Sequence, residues 1–176
     1  MKASRPRFSF IIRLTERLLA DHAVTAPPVP VESIAKAMGC RVVFGSLQDV
    51  SGILVRSAEG ATIGVNERQP PVRRRFTIAH ELGHLLLHQG NQITYDHEFR
   101  VNLRSVESSE GQDVEEIEAN FFAASILMPD AFLEADPRTA FIHLDDDAAV
   151  SALARTFKVS QQAMTLRLAR LLGRKA

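Results

Sequence analysis

Cysteine is nearly missing from this chain: Cys40 is the only one among 176 residues. No internal disulfide can form, a reducing compartment is the default, and a Cys-rich zinc finger is excluded. Net charge is missing as well, because 21 basic residues face 21 acidic ones. Nothing global therefore draws the chain to nucleic acid or to an anionic membrane. Long uncharged runs are also lacking. Arg13, Glu16 and Arg17 interrupt the apolar stretch from Phe8 to Leu19, which leaves neither a secretion signal's apolar region nor a membrane span. There are no internal repeats and no low-complexity segments. These absences point to a cytoplasmic protein with no membrane partner. What is left, 45% apolar and 24% charged residues, is ordinary for a globular chain able to bury one core.

The pattern of the chain predicts an α+β fold. Phe8, Ile11, Ile12, Leu14, Leu18 and Leu19 recur at helical spacing, so residues 1–25 read as an amphipathic N-terminal helix set apart from a single domain over 26–176. Three prolines between Ala26 and Pro30 make a stiff connector. Val31 to Met38 reads as a short helix stopped by Gly39, and Cys40 to Phe44 as a strand. Ser51 to Arg56 and Ala61 to Val65 read as a hairpin closed by Pro70 and Pro71. The expected sheet is small and mostly antiparallel. Gln89 to Gln112 is polar and reads as a long loop of the kind that serves a site. Asp113 to Leu127 is helical, with Val114, Ile117, Phe121, Ala124 and Met128 as its buried stripe, and another helix is expected over Pro129 to Ala135. In the tail, 145–173, a Phe157-to-Ser160 turn with Ser160 as N-cap joins two helices in a helix-turn-helix-like unit. Arg167, Arg170 and Arg174 raise the question of DNA. The zero net charge and the acidic run Asp145 to Asp147 favour simple packing on the domain, so direct nucleic-acid binding is not expected.

The stretch around which the rest is organised is His80-Glu81-Leu82-Gly83-His84. On a helix, residues four apart lie about 40° apart around the axis, so both imidazoles project from one face. Two neutral imidazoles make half of a tetrahedral zinc site, and Glu81 beside them can accept a proton from a metal-activated water. Leu82, Leu85 and Leu86 supply the second, apolar face, and Gly90 is a plausible stop. A buried helix whose histidines bond to backbone would show the same five residues; what separates the two readings is a third ligand.

That ligand is a histidine a few residues on or a carboxylate from a later helix. Position 90 is Gly, six residues beyond His84, which removes the first option. Glu115, Glu116 and Glu118 compete for the second. With Ile117 as the buried direction, Glu115 points away at about 160° and should be solvated, while Glu116 and Glu118 flank the stripe at about 100° each. Asn120 lies one turn after Glu116 on its side and can supply polar surroundings for a ligand. Glu116 is therefore the preferred ligand and Glu118 the second choice, against a capping box between Asp113 and Glu116. His88, one turn past His84, would close the open coordination position if it were a fourth ligand. It stays outside the set, as a residue behind the ligands, one on the substrate side, or an exposed histidine with no role.

These pieces together resemble the ImmA/IrrE family of metallopeptidases, small bacterial cytoplasmic zincins of the gluzincin type. The likeness runs through Pro30–Gly39, Arg75–His84, Glu116–Pro129 and Leu153–Ser160. The resemblance implies a zincin-like domain with His80, His84 and Glu116 as zinc ligands and Glu81 as catalytic base. It implies too that the helical tail belongs to the fold, and it leaves the helix from Phe8 to Ala20 without a counterpart. The implied reaction is hydrolysis of a peptide bond in a specific protein, a helix-turn-helix transcriptional repressor by family likeness. Manganese, iron or cobalt would accept the same ligands as zinc. Tyr95, His97 and His143 are candidate oxyanion donors. By analogy with zincins, the strand Ala61 to Val65 is expected to offer a sheet edge to the substrate. The alternative is a non-hydrolytic regulatory or toxin–antitoxin module with a structural zinc; an intact Glu81 argues for the enzyme. A third reading, DNA binding through Ser160 to Arg170, requires a steep salt dependence.

Overall fold

The computed structural model describes residues 5–88, 93–96 and 111–173, with backbone alone at 94–96 and 111–113. The chain folds as helices α1 (Phe8–Asp21) and α2 (Val31–Ala37), strands β1 (Cys40–Gly45), β2 (Gly52–Ser57) and β3 (Gly60–Asn66), then helix α3 (Pro71–Leu87). Strand β4 (Ile93–Asp96) and helices α4 (Gly111–Leu127), α5 (Asp130–Ala135), α6 (Asp147–Phe157) and α7 (Gln161–Leu172) complete it, with a 3-10 turn at Pro137–Phe141. The mixed α+β class and the zincin-like arrangement agree with the expectation.

The sheet has four strands in the order β1-β3-β2-β4. β2 and β3 form the expected hairpin, with Gly52 opposite Val65 and Ser57 opposite Gly60. β2 also pairs antiparallel with β4, Gly52 opposite Asp96, and only β1 and β3 run parallel. Two expectations are corrected here. The stretch read as a loop from Gln89 contains β4, too short at four residues to announce itself. The strand Ala61 to Val65 is no edge: it lies inside the sheet, paired to β1 on one side and β2 on the other. Among the described residues the edges are β1 and β4.

One face of the sheet turns Leu54, Ile63 and Val65 into the core, each fully buried and worth about 1.5–3 kcal/mol against exposure. α3 packs on the sheet through β2 and β3, α4 packs on α3, and α1 lies against α4. α3 starts with Pro71 at its first turn, where a missing N–H costs nothing. α4 is buried on more than one side. Ala119, Phe122, Ala123, Ile126 and Leu127 are fully buried, while Ile117 is only half-buried. Of the expected stripe, Phe121 and Met128 are buried and Val114, Ile117 and Ala124 half-buried, so burial extends beyond it to the opposite side of the helix. α1 buries Ile11, Leu18 and Leu19, and its Phe8 ring meets Phe121 edge-on at 4.7 Å.

The tail forms the two expected helices. Lys158 takes the left-handed conformation (φ 53°) between them, and the Ser160 hydroxyl accepts from the Ala163 N–H at 3.1 Å as N-cap. Arg167 is buried: it donates to the Met128 carbonyl at 2.9 Å and pairs with Asp130 at 2.8 Å. Arg170 stacks its guanidinium over the Phe121 ring, 4.1 Å from the centroid. Arg174 lies outside the described residues.

Candidate metal centre

α3 carries His80, Glu81 and His84 into the interior, where their exposures are 0%, 1% and 4%. Four-residue spacing does what it should: the Nε2 atoms of His80 and His84 lie 3.0 Å apart. Between them in sequence is Gly83, and its hydrogen faces α4. A Cβ there would sit 3.1 Å from the Phe122 ring and 3.2 Å from the Ala119 Cα. The absence of that Cβ lets α4 come close enough for its first turns to reach the histidines.

The residue that reaches them is Glu116. Its Oε2 is 3.4 Å from His80 Nε2 and its Oε1 is 3.1 Å from His84 Nε2. His80, His84 and Glu116 each offer a ligand atom, all within 4.8 Å of one another, so the three could hold a metal ion. Donors about 2.0–2.2 Å from one tetrahedral ion stand roughly 3.3–3.5 Å apart, close to what is observed. Two imidazole nitrogens and a carboxylate are also the donor chemistry such an ion takes. The residues fit the group. Burial alone would push the Glu116 carboxyl up; hydrogen bonds from His80 and His84, and their charges, carry it well below the ordinary carboxylate range. Half of its side chain is exposed (51%), which leaves the trio one open side.

Behind the two histidines stand two supports. Asn120, one turn after Glu116, puts its Oδ1 3.0 Å from His80 Nδ1. His84 Nδ1 instead meets His88 Nδ1 at 3.1 Å, and His88 Nε2 meets Glu118 Oε2 at 3.1 Å. Glu118, 1% exposed, is clamped by Arg7, whose guanidinium gives it bonds of 2.6 and 2.9 Å and whose backbone N–H gives a third of 2.6 Å. Burial would raise the Glu118 carboxyl, but the bonds from Arg7 and His88 win and lower it. Burial lowers His88, with Glu118 pulling the other way. Arg56 of β2 donates to the carbonyls of His84 (2.8 Å) and His88 (3.3 Å), capping the end of the site helix. Its guanidinium, lowered by burial, feels the charges of Glu81 and Glu115. Glu81 itself lies against Gly52: a Cβ on residue 52 would collide with Thr77 and come within 2.9 Å of Glu81 Oε1.

Several expectations meet their answer in this geometry. The structure brings His80, His84 and Glu116 together; Glu81, between the two histidines in sequence, is buried against Gly52 of β2. The structure does not bring in Glu118, which faces Arg7 and His88. Glu115, expected to be solvated, is half-buried. His88 leaves the helix: it is an extended C-cap (φ −125°, ψ 130°), so it turns to the back of His84 rather than along the ligand face. His143 is exposed in the turn before α6. Tyr95 falls on β4 at a position described by backbone alone, and Gly90 and His97 lie outside the described residues. Sequence reasoning missed Gly52, Arg56 and Arg7. The first could have been suspected from a Gly at the start of a strand, a mark of close backbone approach; the two arginines carry no local signal.

Comparison with known proteins places these features. The model of one protein family, Peptidase M78 (IrrE N-terminal-like domain), matches residues 35–169. No curated protein matches the chain. Among solved structures, a transcriptional regulator from Mycobacterium tuberculosis has a similar fold, with a TM-score of 0.59 at 19% identity. The match covers 89% of this chain and 45% of that one, so the chain spans somewhat less than half of that protein's length.

Proposed function

The chain belongs to the Peptidase M78 family of IrrE N-terminal-like domains, and on that footing we propose that it is a zinc-dependent endopeptidase cleaving one specific cytoplasmic protein. A helix-turn-helix transcriptional repressor is the substrate class that the family resemblance favours. The observation that carries the hydrolase reading is the convergence of His80 Nε2, His84 Nε2 and the half-exposed Glu116 carboxylate, with a buried glutamate, Glu81, next to His80 on the same helix.

His80, His84 and Glu116 would hold the metal. A divalent ion bound there supplies Lewis acidity, polarising a carbonyl and lowering the pKa of a water to about 7. Glu81 accepts the proton of the attacking water at its carboxylate and passes it to the leaving amine nitrogen. Asn120 holds the ring of His80 in place. Backbone pairing with an extended substrate falls to β4, the edge strand whose Asp96 stands opposite Gly52 and hence near Glu81. The inward placement of Arg167 and Arg170 favours a tail that packs on the domain over one that reads DNA.

The test compares wild type with Glu81→Gln, each assayed for zinc per chain and then added to a lysate of the source cells. New protein N termini are labelled and counted. One zinc in both, and a defined new N terminus with wild type only, supports the endopeptidase. Equal zinc and identical N-terminal profiles would hand the site to a non-hydrolytic module with a structural zinc.

A further inference from the structure

We propose that the cavity between α3, α4 and α7 is a binding site for a small apolar carboxylate, separate from the metal centre. The site goes beyond the peptidase reading and does not depend on it.

The apolar stripe of α4 supplies the first argument. Ile117, Phe121, Ala124 and Met128 recur at helical spacing as a core face would, and all four line this cavity. Ile117 and Ala124 stay half-buried there, as do Val72 and Phe76 of α3 and Leu166 of α7, so three helices turn apolar side chains toward a space that the described residues leave unfilled. The cavity measures about 390 Å³, within the roughly 300–1,000 Å³ of small-molecule sites. At about 30 Å³ for each water-sized group, that is room for about a dozen non-hydrogen atoms. None of His80, His84 and Glu116 lines it. Asn120 is the shared wall: it lines the cavity, and its Oδ1 meets His80 at Nδ1, whereas the ligand atoms converge at Nε2.

Charge decides which apolar molecule fits. Beside Asn120 and Ser160, the polar lining is three arginines, Arg73, Arg167 and Arg170, and no acidic side chain. Arg167 serves the fold, paired with Asp130 at 2.8 Å and donating to the Met128 carbonyl at 2.9 Å. Arg73 on α3 and Arg170 on α7 make the wall positive from two helices. Stacking on Phe121, 4.1 Å from the ring centroid, holds the Arg170 guanidinium flat, and such a group directs its donors in its own plane and never loses its charge. A planar carboxylate matches that fork. A doubly charged phosphate matches it too, but would lose more hydration against the apolar walls. The occupant therefore lays an apolar body along the α4 stripe and turns one carboxylate toward Arg73 and Arg170.

Decanoate is a probe of the right size and charge, and decanol is its uncharged counterpart. Titration calorimetry of each, on zinc-loaded and on chelator-treated protein, tests the site. Decanoate should bind saturably at one site in both preparations, with decanol weaker by about tenfold or more, the effect of losing a charge-assisted contact. Arg73→Gln should weaken decanoate by about tenfold and leave decanol within about twofold. Ala163→Phe, which puts a ring into the cavity from α7, should abolish both. Arg73 is only half-buried, so Arg73→Gln keeps the test open if Ala163→Phe does not fold. The proposal is overturned by wild type that takes up no decanoate, by decanol binding as tightly as decanoate, or by folded variants that bind like wild type. Decanoate bound only by zinc-loaded protein places the carboxylate on the metal and overturns it as well. So does an acetylated, amidated leucine dipeptide that binds where decanoate does not, which hands the cavity to a substrate side chain. Decanoate binding to protein that takes up no zinc counts against the metal reading and leaves this site standing.

Discussion

His80 is backed by a neutral amide from the helix that also carries Glu116, whereas His84 is backed by a second imidazole, a buried carboxylate and an arginine from the start of the chain. The first support is local. Asn120 and Glu116 sit four residues apart on α4, so a shift of that helix moves ligand and partner together. The second is spread over three elements, α1, the end of α3 and α4, and it ends in a charge. By this contrast the placement of His80 depends on the packing of α4 alone, while that of His84 also depends on the N-terminal helix staying docked.

The sharpest way to break both sides at once is Glu116→Ala, which takes away the residue shared by His80 and His84. Stoichiometric zinc should disappear, measured as metal per chain after gel filtration; zinc retained at one per chain would remove Glu116 from the ligand set. Next in size is Glu81→Gln, which leaves both supports intact. Zinc should stay and cleavage should fall by about 10²–10⁴-fold, the contribution of a general base. Turnover near the wild-type rate would mean that the proton goes elsewhere.

Asn120→Ala beside His88→Leu compares the two sides directly. Each should weaken zinc by about 10–100-fold, and in the double variant the losses should multiply, because the two supports share no residue. Losses that fail to combine would show one coupled network rather than two. Arg7→Ala should also lower unfolding free energy by about 1–3 kcal/mol, less than for a fully buried pair, because Arg7 is partly in solvent. Asn120→Ala should not share that cost through any charge. Chemical denaturation of the metal-free proteins checks the difference. The smallest effect belongs to a control far from both sides. Ser160→Ala removes the N-cap of α7 and should cost about 1 kcal/mol with no change in zinc affinity.

How far this arrangement could be read in advance depends on the distance over which each rule works. The meeting of His80 and His84, and the pairing of Asn120 with the Glu116 side of α4, follow from helical spacing, so both were legible. Glu116 and Glu118 fall on opposite flanks of α4 although burial spreads well beyond the expected stripe, because residues about 100° to either side of Ile117 stay on their own flanks whichever side is buried most. That spread has a cause: α4 packs against both α1 and α3, so apolar residues occur around much of its circumference and no single stripe stands out. The sequence pattern makes β3 an edge because the hairpin with β2 is a local pairing, while the parallel pairing with β1 skips over a strand and leaves no mark in it. His88 was drawn along the helix face because its extended backbone could not be foreseen.

Amino-acid order was enough for the helix with two histidines on one face, the glutamate next to the first of them, the choice of a carboxylate on a later helix and the capped turn before α7. Each rests on contacts within about one helical turn, where backbone geometry is nearly invariant. Tertiary structure alone decided that Gly83 lets α4 close on α3, that Gly52 brings β2 against Glu81, and that Arg7 closes a chain of bonds onto His84. Those contacts join residues far apart in sequence, and they exist only because the core between the sheet, α3, α4 and α1 sets the distances among elements that no local rule relates.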